Sequence, residues 1–327
     1  MAEELEIRPQ DRVLVVAPHP DDESIGAGGL LQIARAAGAG VRVIVLTDGD
    51  NNPWPQRWSE KRWHIGSAER ARWGARRREE ARAALRILGV GEQDARFFGL
   101  PDLGLTDLLM RADAALIDTL RQTLDEFVPT LVVVPAISDR HPDHNAANVL
   151  LRVALGAHAG TPQLLAFAVH GGTAAQGKLV VRLDAERRRI KQAAILAHAT
   201  QMQFSRGRFL AFAGEQERFH AAAIPARVQT EHPLQANFDA GKLHVRIDLR
   251  RWGRRLRDEV VFVVLEGDTS VRLAAAVRRT QTGSAGALEF DIELPTASRP
   301  REGYVKLAPP QPGWRVFDRF GWQSIAT

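Results

Sequence analysis

The chain has 327 residues, 45% of them apolar, a net charge of +5 and no cysteine. That composition excludes a disordered chain, a disulfide framework and a thiolate metal site, so any metal must be held by His, Asp or Glu. The length predicts one large domain and one smaller one. The longest apolar runs, such as Leu131 to Val134, fall far short of the ~18 residues of a membrane span. The opening MAEELEIRPQDR has neither a basic nor an apolar leader region, so a cytoplasmic protein is expected.

Arg12 to Ala17 (RVLVVA) is Val-rich and continuous, the pattern of a strand buried on both faces. Glycines follow, and Leu30 to Ala37 carry helical spacing. Val41 to Thr47 is a second buried strand, ended by Asp48-Gly49-Asp50. Residues 51 to 73 are rich in Trp, Pro and Arg and show no clean period. Ala75 to Leu88 predicts a helix stopped by Gly89. A strand over Ala95 to Phe98, a helix over Leu108 to Phe127 and a strand over Leu131 to Pro135 come next. Helices over Asn145 to Leu155 and Ala185 to Ala199 complete the pattern. This alternation predicts a Rossmann-like α/β domain, a mostly parallel sheet with helices on both faces, over residues 1–228. In residues 229–327 the pattern changes. The apolar runs there, at 243–249, 260–265, 271–277, 287–294 and 304–310, are short, and several alternate apolar with polar. They predict an all-β, sandwich-like second domain.

Ligands of parallel sheets bind beyond the carboxyl ends of the strands. Two His/Asp clusters stand at such ends, PHPDDE at 18–23 and HPDH at 141–144. Asp21, Asp22 and Glu23 cannot all ionise cheaply in a cleft unless a cation sits among them. His19 and Asp22, three apart on a turn, can reach one ion, and the second cluster offers His141 and His144. A His₂Asp set with one position left for water is a zinc-type catalytic arrangement. Asp21 would be free to act as a base. A lone His–Asp pair at a strand end is ordinarily a turn or a cap; here two His-Pro-Asp units recur. Gly26-Ala27-Gly28-Gly29 does not make a dinucleotide fingerprint, because Leu31 stands where its last glycine would be. These glycines are expected to let a helix start close to the sheet.

PHPDDE with a later HPDH resembles the PIG-L/LmbE-like family of zinc-dependent de-N-acetylases, over roughly residues 10 to 220. RREEARAALRILG (77–89), FFGLPD (97–102) and IKQAAILAHATQ (190–201) are similar to further family segments, with Thr200 in place of the family's Ser. The resemblance implies one zinc ion, or another divalent metal, on His19, Asp22 and His144. It implies Asp21 as general base, with His141 stabilising the oxyanion or protonating the leaving amine. Asp139 or Asp143 would orient a histidine. The implied reaction removes acetyl from an N-acetylglucosamine-type sugar in a glycoconjugate. An amidase of the same family acting on a larger amide, and a non-catalytic glycan- or lipid-binding protein with a vestigial metal site, are the competing readings.

Between Arg57 and Arg82 stand nine basic and four acidic residues. An Arg-rich helix face explains such a run, as does attraction of an anionic sugar or lipid head group. Peripheral membrane contact is compatible with it; nucleic acid is not expected, since no binding motif accompanies the charge. Trp54, Trp58, Trp63 and Trp73 fall in the same stretch. Trp58 and Trp63 are candidates to hold a sugar ring, with Arg77, Asp50 and Asp102 as candidate hydroxyl or phosphate contacts.

Overall fold

The computed structural model describes residues 2–111, 113–156, 158–171, 177–222, 231–239, 241–252, 260–266, 271–276, 286–293, 302–308, 318 and 320–325. The boundary expected at 228/229 and the strand ends expected at 277, 294 and 309–310 lie outside these residues. In chain order, the first half runs β1 (Glu3–Glu4), β2 (Arg12–Ala17), α1 (Asp22–Ala36), β3 (Gly40–Thr47), α2 (Pro53–Glu60), α3 (Ser67–Ile87), β4 (Ala95–Leu100), α4 (Leu105–Met110), α5 (Ala114–Phe127), β5 (Leu131–Pro135) and α6 (Pro142–Gly156). Then come β6 (Gln163–Phe167), β7 (Leu179–Arg182), α7 (Ala185–Ala197), α8 (Ala199–Leu210) and β8 (Gln216–Ala222). The C-terminal region holds β9 (Leu234–Asp239), β10 (Lys242–Asp248), α9 (Leu249–Trp252), β11 (Val260–Glu266), β12 (Val271–Ala276), β13 (Ala287–Glu293), β14 (Glu302–Ala308) and β15 (Gln323–Ser324).

The main sheet has the order β1-β7-β8-β6-β5-β2-β3-β4 and is parallel throughout except for β8, which runs antiparallel to β6 and β7. The chain moves from β2 outward to β3 and β4, then returns to place β5 on the other side of β2. The switch point is therefore the crevice between the carboxyl ends of β2 and β5, where both His/Asp motifs begin. The unbroken apolar run of β2 follows from burial on both faces. Val13, Val15 and Ala17 join a cluster with residues of α1, α3 and α7, while Leu14 and Val16 join one with α4, α5 and α6.

Several predicted helices differ in extent, and the one expected over Leu30 to Ala37 already starts at Asp22. The helix expected from Ala75 starts at Ser67, because Glu69 accepts the Gly66 N–H at 3.1 Å and caps it. Its first turns are mostly exposed, which erased the apolar period there. The helix expected over 108–127 is broken by Asp113, whose carboxylate caps Leu116 N at 3.0 Å. The helix expected to 199 breaks at His198, and α8 begins beyond it.

The C-terminal region forms two antiparallel sheets, β13-β10-β9 and β12-β11-β14-β15. Leu234, Val245 and Ile247 of the first and Val305, Leu307 and Ile325 of the second share one apolar layer. Tyr304, on the opposite side of β14, is buried with Trp322 in the α4–α5–α6 cluster of the main domain. No helix among the described residues is long and apolar enough to cross a membrane.

Helix α1 lies close to the sheet because two of its residues lack side chains. A Cβ on Gly26 would stand 2.3 Å from the Phe167 ring, and one on Gly29 would stand 2.6 Å from Leu183. Phe167 is itself buried and cannot yield. Gly26→Ala is expected to destabilise the protein by about 1–3 kcal/mol through overpacking, in spite of alanine's better helix propensity; chemical denaturation checks it.

Candidate functional site

The turn from β2 into α1 carries His19, Pro20 and Asp21, and Asp22 opens the helix. Thr47, at the end of β3, donates its N–H and its hydroxyl to Pro18 O at 2.9 Å each, fixing where the turn leaves the sheet. Asp22 Oδ2 accepts the His19 N–H at 2.9 Å, so the helix-opening carboxylate also closes the turn. Asp21 has φ 135°, a backbone conformation that L-residues adopt only when their surroundings compel it. Its carboxylate is buried and accepts from Arg77 Nη2 at 3.0 Å.

On the second segment Pro142 begins α6, a position that needs no N–H. Asp139 accepts the backbone N–H of His141 (3.0 Å), Val169 (2.8 Å) and His170 (3.1 Å), pinning the loop after β5 to the end of β6. Asp143 accepts from Leu103 N at 2.7 Å and Leu105 N at 3.1 Å, and Leu103 too has positive φ, 61°. The PDLGL turn after β4 is thereby tied to the same segment.

The two motifs meet. Asp22 Oδ2 lies 3.1 Å from His19 Nδ1 and 3.1 Å from His144 Nε2. The ring centroids of His19 and His141 are 4.7 Å apart, those of His141 and His144 4.9 Å. The far nitrogens are held from behind: His19 Nε2 lies 3.2 Å from both Asp102 Oδ1 and Asp143 Oδ2, and His144 Nδ1 lies 3.3 Å from Asp139 Oδ2. His141 Nδ1 accepts the Asp143 N–H at 3.2 Å, which leaves the proton of its neutral ring on Nε2.

These residues fit a divalent cation. Both ring nitrogens of His144 are buried without an aligned hydrogen bond, in spite of the adjacent carboxylates. Tetrahedral coordination with bonds of ~2.0–2.1 Å requires ligand atoms roughly 3.3 Å apart. The 3.1 Å separations around Asp22 Oδ2 approach that spacing. Donor atoms of His19, His141 and His144 also lie within 4.8 Å of one another.

The electrostatics follow from burial set against close partners. Burial opposes an imidazolium at His19, but its hydrogen bonds to Asp102, Asp143 and Asp22 outweigh burial and hold its pKa well above the usual value. Burial likewise opposes charge on His144, and the charges of Asp22 and Asp139 outweigh it, raising the pKa to about 10. At His141 burial and the neighbouring His19 and His144 outweigh the opposing charge of Asp22 and push it well below its usual value. Asp22 would be raised by burial, yet His144 and His19 hold it well below the usual carboxylate range. Burial pushes Asp21 up to about 6, against the opposing charge of Arg77.

The other candidates fall in different places. Arg77 is buried, and its guanidinium is engaged by Gly49 O (2.6 Å), Pro20 O (2.7 Å) and Asp21. Asp102 is in the site wall beside His19, and its other oxygen accepts Asn51 N at 2.8 Å. Asp50 is half-buried, with its pKa raised by burial and by Asp102. Asn51 leads into α2, whose Trp58 is 72% exposed and is followed by Trp63, 80% exposed. The Arg57 guanidinium lies 5.0 Å from the Trp54 ring and 5.4 Å from the Trp63 ring. Trp73, by contrast, is core.

Of two further histidines at the site, His198 lies in the IKQAAILAHATQ segment and His170 in none. His170 follows β6, with its ring 4.8 Å from that of His144 and its Nδ1 3.5 Å from Asp139 Oδ1. No motif marks it. His198, at the end of α7, reaches Glu23 at 3.0 Å and Ser24 at 3.1 Å. The third carboxylate of the PHPDDE run therefore has an imidazole partner of its own.

Residues 14–155, which include both motifs, match the family described as PIG-L: GlcNAc-PI de-N-acetylase. The chain is 35% identical over 147 residues to the 1D-myo-inositol 2-acetamido-2-deoxy-alpha-D-glucopyranoside deacetylase of Mycobacterium avium (strain 104), covering 41% of this chain and 47% of that protein. It is 30% identical over 142 residues to the diacetylchitobiose deacetylase of Thermococcus kodakarensis, covering 42% and 47%. The N,N'-diacetylchitobiose deacetylase from Pyrococcus horikoshii shares the fold, with a TM-score of 0.50 and 20% identity over 64% of this chain and 83% of that one. The chain spans about half the length of the curated relatives it matches.

Arg77→Met would leave a buried carboxylate without its cation. In the metal-free protein at pH 8, where Asp21 is ionised, the expected loss of stability is about 3–5 kcal/mol. At pH 5, below the raised pKa of about 6, Asp21 is neutral and the loss is smaller. Urea denaturation of both proteins at the two pH values checks the sign; an equal loss at both would remove the Asp21–Arg77 pair as its cause.

Proposed function

We propose that the protein is a zinc-dependent hydrolase, a reading supported by the match of residues 14–155 to the PIG-L family. It removes acetyl from an N-acetylglucosamine-type amino sugar and releases acetate. The observation that carries this reading is the convergence of His19 Nδ1, Asp22 Oδ2 and His144 Nε2, with the carboxylate of Asp21 one residue away. The names of the matched relatives, which are deacetylases of acetamido sugars, support it.

His19, Asp22 and His144 would hold the ion, a set supported by the 3.1 Å separations of Asp22 Oδ2 from His19 and from His144. When bound there, Zn²⁺ supplies Lewis acidity toward an acetamide carbonyl and acidifies nearby water. Asp21 accepts the proton of the attacking water at its carboxylate, a role that suits a carboxylate whose pKa has been raised toward neutrality. His141 donates from Nε2–H to the oxygen on which negative charge develops. Its Nδ1 is occupied by the Asp143 N–H, so the ring is preset as a donor. As the carbon–nitrogen bond breaks, the proton taken by Asp21 passes to the amine, so that amide and water become amine and acetic acid. Arg77 keeps Asp21 aimed. Asp102 and Asp143 orient His19, and Asp139 orients His144.

The substrate is a small sugar or the sugar end of a glycoconjugate. Exposed indole faces suit a pyranose ring, and the exposure of Trp58 and Trp63 supports them as its platform, with Asp50 as a candidate hydroxyl contact. The catalytic machinery is assigned to residues 1–228, with residues 229–327 as a second, β domain packed against it through Tyr304 and Trp322.

Asp21→Asn is expected to retain metal and to lose about 10²–10⁴-fold in acetate release from GlcNAc conjugates. His144→Ala is expected to lose the metal itself. Equal metal loss in both variants would overturn the division of roles. Trp58→Ala combined with Trp63→Ala should raise KM with little change in kcat; an unchanged KM would remove these residues from the substrate path.

A further inference from the structure

Residues 318 and 320–322 of the C-terminal region lie against the loop that carries the second histidine motif. The Asp318 N–H donates to Arg140 O at 2.6 Å, and Asn145 Nδ2 donates to Asp318 Oδ2 at 3.3 Å. Arg140 and Asn145 immediately flank His141 and His144, so Asp318 bonds the HPDH segment on both sides. Asn145, fully buried, also donates to Asp139 O at 3.3 Å, and the carboxylate of Asp139 lies against His144 and His170.

The contact is tight. Asp318 Oδ1 accepts the Gly321 N–H at 3.2 Å, closing a turn in which Gly321 has φ +65°. A Cβ at Gly321 would stand 3.0 Å from Ile137 O and 3.2 Å from Asn145 Nδ2. Trp322 then enters the buried cluster formed with Ala146, Ala147, Val149 and Leu150 of α6.

The β region holds this turn from the other side. Lys306 of β14 pairs with Asp318. His232 Nε2 lies 2.8 Å from Phe320 O, and the Trp252 ring stacks on Phe320 with centroids 4.9 Å apart. Each of these three residues belongs to the C-terminal region, and each holds Asp318 or Phe320.

We infer that the C-terminal β region is a positioning element of the catalytic site, and that Asp318 is the positioning residue through which it sets the place of His141 and His144. The region thereby acquires a role in metal affinity and geometry without contributing a ligand. Removing a group that orients a ligand typically costs 10–100-fold in metal affinity.

The experiment uses the full chain and two readouts. The first is dication affinity, by competition with a chelator; it rests on the proposed metal centre. The second is hydrogen exchange of residues 139–146 in the metal-free protein, which does not. Asp318→Ala is expected to weaken dication binding about tenfold or more and to speed exchange over 139–146. Exchange in the main-sheet strands β2 and β3 should not change. Asp318→Asn keeps one oxygen acceptor, enough for the Gly321 N–H but not also for Asn145, and should lose less affinity than Asp318→Ala. Asn145→Ala should speed exchange at 320–322 in return, since coupling is reciprocal. The double variant should bind the dication no more weakly than the poorer single variant, because both break one link. Should Asp318→Ala fail to fold, Gly321→Ala takes its place, with the same expected loss of affinity. Wild-type affinity and exchange in these variants, or losses that multiply in the double variant, would overturn the inference. If the wild-type protein takes up no dication, the metal reading fails while the exchange data still decide the positioning role.

Discussion

The structure depends on one carboxylate oxygen. Asp22 Oδ2 stands between His19 and His144, 3.1 Å from a nitrogen of each, and is wholly buried with them. In the dry interior this attraction draws together two chain segments that share no local contact. It also gives each imidazole a fixed direction, because the opposite nitrogen is held by Asp102 and Asp143 or by Asp139. Burying so many carboxylates and imidazoles costs more than any single pair returns, so the cluster is a functional feature rather than a source of stability.

That oxygen can sit there only if α1 starts at the right depth. Gly26 and Gly29 let the helix approach β6 and the strands beyond it. A buried ion pair then fixes it: Lys191 donates to Ile25 O at 3.0 Å and to Glu217 at 2.5 Å, and Glu217 accepts from Gly29 N at 2.5 Å and Leu30 N at 2.8 Å. The pair joins the middle of α1 to α7 and β8, which come much later in the chain. His198 adds a second tie, from the end of α7 to Glu23 in the first turn of α1. The backbone strain at Asp21 and Leu103 persists because these surroundings determine the local conformation more strongly than the residues themselves do.

The second segment is held from more directions. Asp139 binds the loop to the end of β6, Asp143 binds it to the PDLGL turn, and Asp318 lies against it from the β region. Burial of Tyr304 and Trp322 in the main-domain cluster makes that last contact part of a continuous core. A β region that only docked on the surface would leave those two large side chains in solvent.

Much of this was legible in the amino-acid order. The Val-rich runs of β2, β3 and β5 announce strands buried on both faces, and the alternation with helices announces a parallel sheet. Charged clusters at strand ends point to the crevice where such sheets bind ligands. The ligand types followed from chemistry alone, since a chain without cysteine that stacks three carboxylates beside a histidine needs a cation. Local order could not say which histidine faces which carboxylate, because that is settled by strand order and helix depth. His170 and Asp318 carry no signal at all: each is a single polar residue whose partner lies across the sheet or in another layer; His198 lies in the segment 190–201, but its spacing does not show that Glu23 is its partner. Nor did the spacing of Arg77 show that its guanidinium would be consumed by Pro20, Gly49 and Asp21. Short-range periodicity reports which face of an element is buried; the pairing of one nitrogen with one oxygen depends on distances that exist only after the layers have packed.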